Sequence, residues 1–251
     1  MENYPANRLQ NYFFFVKFPL PAYSYCGPGR SALVRSLPFF IFLGMLALRS
    51  LLEARPLALP LLSNTQHLYL FQAALPLLAL IVWRRDYQEL WSIPTDPLRL
   101  LIAVAAGTLV FAIWILPGPA WMHLEASATH FVPVASDGAI QWEWVFVRSF
   151  GAVMVVPIIE ELFWRSFLLR WVDRRQFQSL SPAAVSWTAL LVSSGTFALG
   201  HELWLAALIA GLAYALLYRA LQNLWYPVLA HATTNLALAI WVVRQGAWQF
   251  W

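Results

Sequence analysis

Residues 149–169 read SFGAVMVVPIIEELFWRSFLL, an apolar run that contains two adjacent carboxylates, Glu160 and Glu161, and the guanidinium of Arg165. A helix needs about 20 apolar residues to cross the hydrocarbon core of a bilayer, so this run is long enough to span. Charged side chains at that depth are costly and by default indicate function. The stretch therefore predicts a membrane helix with a buried polar site on it.

The composition of the whole chain is that of an integral membrane protein. Of 251 residues, 61% are hydrophobic and 11% are charged, against about 25% charged in soluble domains. The formal net charge is +4, but the arginines flank apolar segments instead of forming basic runs, so no nucleic-acid partner is expected. A single cysteine, Cys26, excludes an intramolecular disulfide framework and a multi-cysteine metal site.

Seven apolar segments predict the helices, at about residues 32–52, 68–83, 98–116, 145–169, 184–200, 204–220 and 225–243. We therefore expect an all-α fold, a polytopic transmembrane bundle of about seven to eight helices with a polar intramembrane cavity. Residues 1–30 are interpreted as an N-terminal cytoplasmic or interfacial lead-in. Residues 31–251 are interpreted as one transmembrane domain in contact with membrane lipids, with the chemical residues after position 148.

The arginines predict the orientation of the bundle. Arg84 and Arg85 follow the second segment, Arg174 and Arg175 follow the fourth, and residues 117–147 contain no Lys or Arg. The positive-inside rule places the N-terminus in the cytoplasm, and residues 117–147 and the C-terminus on the other side. Arg55 and Arg244 are exceptions to this pattern.

The two acids of residues 149–169 are predicted to have different roles. Glu161 and Arg165 are four residues apart on one helical face, acid before base, so they can pair. Glu160 is rotated by about 100° and has no cation on its own helix. A paired carboxylate suits an electrostatic role, whereas an unpaired, desolvated one suits a general base. A salt bridge that only fixes packing is the alternative interpretation of Glu161 and Arg165.

Two later segments each carry a histidine at helical spacing. Phe197 and His201 occur in TFALGHELW, and His231 and Asn235 occur in NLWYPVLAHATTN. Taken alone, His201 is more often an interfacial residue, and His231 with Asn235 is more often a hydrogen-bond clamp between helices. Together with the acids they supply a base, a group that orients water, and donors for an oxyanion. That set suits attack of water on a carbonyl.

In this order and spacing, Glu160-Glu161 to Arg165 (EExxxR), Phe197 to His201 (FxxxH) and His231 to Asn235 (HxxxN) resemble the motifs of the CAAX prenyl endopeptidase and bacteriocin-processing (CPBP, or Abi) family of intramembrane proteases. The resemblance covers about residues 145–243, which we interpret as the catalytic core. The chain is especially similar to bacterial CAAX-protease-related proteins associated with exosortase systems. Trp164 departs from the smaller or different residue of many members, which predicts a change in substrate access.

The resemblance implies hydrolysis of a peptide bond near the C-terminus of a membrane-associated protein or peptide, lipidated or not, in a cavity open to the cytoplasm. By motif position, Glu160 activates water with the help of His201, and His231 and Asn235 stabilise the oxyanion. Glu161 and Arg165 order the site. No cofactor is implied, and the expected location is a bacterial inner membrane.

Three alternatives stay open from the sequence. The first is a catalytically silent scaffold or immunity protein of the same family. The second is a zinc-dependent protease that uses His201, His231 and a glutamate. The third, a proton-coupled transporter with Glu160 and His201 as a relay, is less favoured because internal repeats and broken helices are lacking.

Overall fold

The computed structural model describes residues 28–54, 67–116, 121, 132–135 and 137–251. Over these residues the protein is an all-α bundle of seven helices, which confirms the predicted fold class. Four of the helices are long and apolar enough to cross a membrane by length and composition. Residues 1–27 of the predicted lead-in, with Cys26, and Arg55 lie outside the described residues.

The helices follow the seven predicted segments in order. They are α1 Pro28–Ala54, α2 Leu68–Val82, α3 Pro97–Trp114, α4 from 142 to 173, α5 Trp187–Ala198, α6 Trp204–Leu221 and α7 Trp225–Gln245. Helix α4 is a continuous rod of α-helical segments Trp142–Phe150, Val156–Glu161 and Leu169–Asp173, separated by π-helical segments Gly151–Val155 and Leu162–Leu168. The α-helical turns that carry both acids thus lie between two wider π turns, a feature frequent at functional sites.

Helix α5 begins at Trp187, three residues later than the predicted segment. Residues Pro182–Ala184 form a separate 3₁₀ turn, and the Ser186 side chain accepts a hydrogen bond from Ala189 N at 3.1 Å. Asp173, at the end of α4, accepts from Ser186 N at 2.7 Å and Ser186 Oγ at 2.6 Å. This N-cap fixes where α5 starts relative to where α4 ends.

Small residues allow α3 and α7 to pack backbone to backbone. A Cβ built on Gly107 of α3 would lie 2.2 Å from the carbonyl oxygen of Ala230 of α7. Thr234 Oγ1 lies 2.8 Å from the Gly107 carbonyl oxygen and donates to it. Such contacts are typical of membrane helices, whose association depends on close packing and interhelical hydrogen bonds.

A buried ionic network closes the end of the bundle where α4 ends, which we call the arginine-rich end. Arg35 of α1 donates to both oxygens of Glu89, which lies in the α2–α3 connection, at 2.7 Å each. Ser166 of α4 donates to Glu89 and accepts from Arg170 Nη2 at 2.8 Å. Burial acts to raise the pKa of Glu89, but the hydrogen bond and charge of Arg35 outweigh it and hold that pKa below its usual value. We call Arg35, Glu89, Ser166 and Arg170 the Arg35 network.

The other end of the bundle, which we call the opposite end, has its own cluster of cations and rings. There α1 ends and α2 and α4 begin. The guanidiniums of Arg49 and Arg148 lie 4.2 and 5.0 Å from the ring centroid of Tyr69. Arg49 pairs with Glu53 at 3.2 Å.

Candidate active site

A cavity of about 600 Å³ lies between α1, α2, α4 and α5. Its wall is mostly apolar and aromatic, and both Glu160 and His201 are part of it. The most exposed lining residues are on α1, on α5 and in the turn that follows α5: Phe40, Leu43, Thr196 and Gly200 are exposed on the bundle surface. The structure therefore brings Glu160 and His201 to the wall of one largely apolar cavity. We call the exposed edge of this cavity, on the side of the bundle between α1 and α5, the lateral rim.

Along α4 the cavity wall extends from Leu168, on the arginine-rich side of Glu160, to Val147 and Arg148 near the opposite end of the bundle. Its lining includes Tyr69 and Gln72 of the first turns of α2, and Val147 and Arg148 near the start of α4. The arginine-rich end, which the sequence assigns to the cytoplasm, is instead filled by the Arg35 network. The expected opening toward the cytoplasm therefore does not match the position of the cavity relative to the arginines.

Glu160 presents an unsatisfied carboxylate oxygen inside the protein. The residue is 7% exposed, and its Oε2 has no hydrogen-bond partner in the described part of the chain. A buried carboxylate oxygen without a partner is costly, and a bound water offsets that cost where the site is polar and roomy enough. The position therefore suits a water molecule held against Glu160.

The hydrogen bond between His201 and Phe197 determines which ring nitrogen of His201 carries the hydrogen. Nδ1 lies 2.9 Å from the carbonyl oxygen of Phe197. A carbonyl can only accept, so Nδ1 carries the hydrogen, and in the neutral ring Nε2 has the lone pair. The ring also packs against Phe197 and Trp114, at centroid distances of 4.5 and 5.6 Å. His201 is thus oriented as a base or an acceptor for water.

Equal distances along two antiparallel helices explain why these residues meet. Glu160 precedes Asp173, the last residue of α4, by 13 positions, and His201 follows Trp187, the first residue of α5, by 14. At 1.5 Å per helical residue Glu160 lies about 20 Å from the arginine-rich end, and His201, three residues past Ala198 at the end of α5, lies at a similar level on the same cavity. A helix starting at residue 184 would have moved His201 away from the level of Glu160, so the late start of α5 matters for the site.

Behind the cavity wall, Glu161 joins two other helices through a fully buried ion network. Its Oε2 lies 3.0 Å from Arg165 Nε, and its Oε1 lies 3.0 Å from His231 Nδ1. Arg165 Nη2 also donates to the Gly211 carbonyl of α6 at 3.3 Å, and its guanidinium lies 4.7 Å from the Phe197 ring centroid. The i,i+4 pair predicted between Glu161 and Arg165 is present, and His231 is its third member.

The position of His231 is further fixed by α6. Its ring stacks on Tyr214 at a centroid distance of 5.1 Å, and the Tyr214 hydroxyl lies 2.7 Å from Thr234 Oγ1. With Nδ1 turned to Glu161, a protonated ring would keep a second N–H, on Nε2, for an oxyanion. His231 itself is not part of the cavity wall.

Asn235 holds a backbone carbonyl of α4 that the helix cannot satisfy. Val156 N donates to Gly151 O in the π turn, and in that i to i+5 register the donor for Ala152 O would be residue 157. Pro157 has no N–H, so Ala152 O has no helical donor, and Asn235 Nδ2 donates to it at 2.7 Å. One amide hydrogen of Asn235 is used in this bond, which leaves the second for another acceptor; Asn235, like His231, is not part of the cavity wall.

Trp164, which differs from the residue that many members of the resembled family carry at this position, belongs to a cluster of aromatic rings on the cavity wall. Its ring contacts Phe39, Phe163 and Phe197 at centroid distances of 5.4, 4.7 and 5.8 Å. Phe39 stacks on Phe163 at 4.5 Å. Bulky rings therefore shape the cavity between α1 and α5, next to Glu160.

The sequence analysis did not single out Gln72 and Arg148, which also line this cavity. Both are polar residues within or beside predicted apolar segments, the same signal that identified Glu160. The Arg35 network was missed as well, because Glu89 lies in a connection between helices, where an acid is ordinary.

Among the described residues, no group of three His, Cys, Asp or Glu side chains is arranged to hold a metal ion. Glu161 and His231 are in contact, but His201 lies on the cavity side with Glu160.

Comparison with known proteins gives one match. Residues 141–237 match a family model described as Rce1-like, type II CAAX prenyl endopeptidase Rce1-like. The match covers α4 to most of α7 and includes all seven residues of the three motifs. No curated protein and no solved structure matches the chain.

Proposed function

We propose that this chain, which matches the Rce1-like type II CAAX prenyl endopeptidase family model over residues 141–237, is a member of that family and an intramembrane endopeptidase that uses water activated by Glu160 and His201. The observation that carries the proposal is the shared cavity. Glu160 contributes a carboxylate oxygen without a partner among the described residues, and His201 contributes a ring whose Nδ1 is already engaged.

In the proposed reaction, Glu160 accepts a proton from water as the water oxygen attacks the carbonyl carbon of the peptide bond. The proton then passes to the leaving nitrogen as the C–N bond breaks, which regenerates the carboxylate. His201 Nε2 orients the same water. His231 and the second amide hydrogen of Asn235 are the proposed donors to the oxyanion.

Glu161 and Arg165 are positioning residues in this account. Their ion network fixes His231 and the turn of α4 that carries Glu160. Both oxygens of the Glu161 carboxylate face Arg165 and His231, and Glu161 is not part of the cavity wall. The proposal therefore assigns proton transfer to Glu160, which is part of that wall.

The proposed substrate is a membrane protein or peptide, lipidated or not, which enters through the lateral rim between α1 and α5. The proposed location is a bacterial inner membrane with a cytoplasmic N-terminus, and the exosortase-associated subgroup stays a prediction. No cofactor is proposed. Activity should therefore persist after treatment with 1,10-phenanthroline, and loss that zinc restores would favour the zinc-dependent alternative.

The first test compares Glu160→Gln with Glu143→Gln, the same change at an exposed position of the same helix. In membranes of cells that carry each variant, Glu160→Gln should accumulate uncleaved precursors, and Glu143→Gln should process them as the wild type does. The rate with Glu160→Gln should fall by about 10²–10⁴-fold, the usual contribution of a general base. Mass spectrometry of membrane peptides measures both.

The same comparison separates the silent-scaffold alternative. A scaffold would lose thermal stability or a binding partner on Glu160→Gln, with no precursor accumulating. Retained processing by a well-folded Glu160→Gln protein would reject the assigned base.

A further inference from the structure

Helix α3 lies outside the residues that match the family model, and the proposed mechanism uses none of its side chains. Its buried residues are Ala103, Gly107 and Val110, at intervals of four and three, which places them on one face of the helix. Trp114, the last residue of α3, follows four positions later on the same face and packs against the same apolar cluster as Ala103 and Val110. The buried face of α3 therefore ends at Trp114.

This face of α3 reaches the surroundings of both histidines of the site. The Gly107 carbonyl accepts a hydrogen bond from Thr234, three residues after His231. Two helical turns further along, the ring of Trp114 contacts the ring of His201, with the centroids 5.6 Å apart and the planes at 82°. Trp114 is not part of the cavity wall. Any effect of Trp114 on the reaction therefore passes through another side chain, and His201 is the side chain that its ring contacts.

His201 needs such support because it is not part of a helix. It lies in the turn between Ala198, the end of α5, and Trp204, the start of α6. Its backbone N donates to Ala198 O at 3.1 Å, and its Nδ1 donates to Phe197 O at 2.9 Å. In the competing tautomer the hydrogen is on Nε2, so Nδ1 cannot donate to Phe197 O and Nε2 cannot accept from water. The proposed role of His201 therefore depends on one orientation and one tautomer of its ring.

Two aromatic rings meet the imidazole of His201 at different angles. The Phe197 ring lies 4.5 Å from it, with the planes at 36°, and the Trp114 ring makes the edge contact at 82°. Rings placed at such different angles restrict rotation of the imidazole more than Phe197 alone would. An aromatic pair of this kind favours its geometry by about 2- to 12-fold in an equilibrium constant.

We propose that Trp114 is a positioning residue of the candidate active site, whose indole ring holds His201 in the orientation in which Nδ1 donates to Phe197 O and Nε2 keeps its lone pair for water. This inference rests on the proposed role of His201 in proteolysis. Its consequence is that α3, although outside the matched residues, determines the state of a motif histidine.

The first measurement does not depend on cleavage. Full-length protein with isotope-labelled histidine rings is placed in lipid bilayers at about pH 8, where a histidine ring is ordinarily neutral. Solid-state NMR then reports which ring nitrogen carries the hydrogen, and the signals of His201 are those that His201→Gln removes. The wild type should show mostly the Nδ1–H tautomer. In Trp114→Leu the ratio of Nδ1–H to Nε2–H should fall by about 2- to 12-fold, the strength of the lost ring contact.

Three variants separate the ring contact from general packing. Trp114→Phe keeps a ring and should retain most of the ratio, whereas Trp187→Leu, the same change at an exposed tryptophan of α5, should leave it unchanged. Val110→Ala removes packing from the same face of α3, so it should lower the unfolding temperature but not the ratio. If Trp114→Leu does not fold, Trp114→Met, whose flexible side chain fills irregular gaps, gives the same comparison. A ratio in the Trp114 variant equal to that of the wild type, or a wild type without an excess of Nδ1–H, overturns the proposal.

The second measurement uses a substrate that the wild type cleaves. Trp114→Leu should lower kcat by a similar factor with little change in KM, because Trp114 is not part of the cavity wall. In a His201→Gln background the same change should have no further effect, since residues that act through one another are not additive. An equal loss in both backgrounds would show that Trp114 only supports the fold, which overturns the positioning role. If the tautomer ratio shifts as expected but Glu160→Gln leaves processing intact, the contact stands and the proposed function fails.

Discussion

Glu160 and Glu161 are adjacent in the chain but have different surroundings in the folded protein. Glu161 is 0% exposed and touches both Arg165 and His231. Glu160 is 7% exposed and faces the cavity, with an oxygen that has no partner in the part of the chain that the structure describes. Glu161 and its ion network thus connect α4, α6 and α7, whereas the carboxylate of Glu160 is available for chemistry.

This difference predicts opposite effects of the same substitution. Glu161→Gln leaves the guanidinium of Arg165 buried without its counter-ion, so it should lower the free energy of unfolding by about 3–5 kcal/mol, the usual cost of breaking a buried pair. Glu160→Gln should change stability little, because it removes a charge that has no described partner. Thermal unfolding in detergent measures both, and equal losses from the two variants would contradict the assigned roles.

Glu89 predicts a pH dependence of stability. Its pKa is held below the ordinary value of 4.5 in the folded protein, where burial is outweighed by Arg35. The folded state therefore binds fewer protons than the unfolded state. The stabilisation is present above about pH 4.5 and is lost as pH falls through the folded pKa.

The check compares the unfolding temperatures of the wild type and Glu89→Gln between pH 7 and pH 3. The wild type should lose more stability on acidification than the variant, which starts lower and changes less. Parallel curves for the two proteins would show that Glu89 does not account for the acid sensitivity.

At the scale of elements, the local sequence determines where helices begin and how closely they pack. Ser186 caps α5, and Asp173 holds Ser186, so the level of His201 follows from a polar contact between two helix ends. Because Gly107 has no side chain, the backbone of α3 packs directly against the backbone of α7 at Ala230. Each contact depends on one small or polar residue, and both contacts position residues of the candidate site.

Gly107→Ala should push α3 and α7 apart. Its Cβ would lie 2.2 Å from Ala230 O, and backbone cannot move out of the way cheaply. We expect a loss of about 1–3 kcal/mol, typical of overpacking, and weaker activity, because α7 carries His231 and Asn235. Gly44→Ala in α1 is the matched control, since nothing from the described residues outside its own helix backbone lies within 4 Å of a Cβ built there.

Thermal unfolding of the two glycine variants distinguishes packing from helix propensity. Gly44→Ala should be neutral or slightly stabilising, because alanine favours helix over glycine. If Gly107→Ala unfolds at the same temperature as Gly44→Ala, that result would contradict the close packing of α3 against α7 at Gly107.

Much of the element pattern was predictable, and the exceptions have physical causes. Hydropathy predicted the seven helices, and the four-residue spacing of Glu161 and Arg165 predicted their ion pair. Both predictions were possible because each depends on residues that are close in the chain. The π turns of α4, the bond from Asn235 to Ala152 and the Arg35 network depend on contacts between distant segments. The order of the residues alone does not reveal such contacts.

At the scale of the whole molecule, the exposed arginines of the connections and the far end of the cavity lie at different ends of the bundle. Arg84, Arg85 and Arg174 are exposed at the arginine-rich end, while the cavity wall extends from Leu168 past Glu160 to Tyr69 and Arg148. With the orientation that the positive-inside rule predicts, the site would be reached from the membrane and from the side away from the cytoplasm.

Cysteine labelling tests this orientation. In a Cys26→Ser background, Ala139→Cys probes the α3–α4 connection and Ser179→Cys probes the α4–α5 connection, both at exposed positions. In intact bacterial cells a membrane-impermeant maleimide should label Ala139→Cys, and should label Ser179→Cys only after permeabilisation. The reverse pattern would place the cavity on the cytoplasmic side.

The claim that Glu160 and His201 act on one water is tested most directly by a double-mutant cycle on the rate of peptide cleavage. Glu160→Gln, His201→Gln and the double variant are compared with the wild type, with folding checked by thermal unfolding. Residues that act as a unit lose activity non-additively. The account predicts that the double variant is about as slow as the slower single variant, whereas losses that multiply would show that the two side chains act independently.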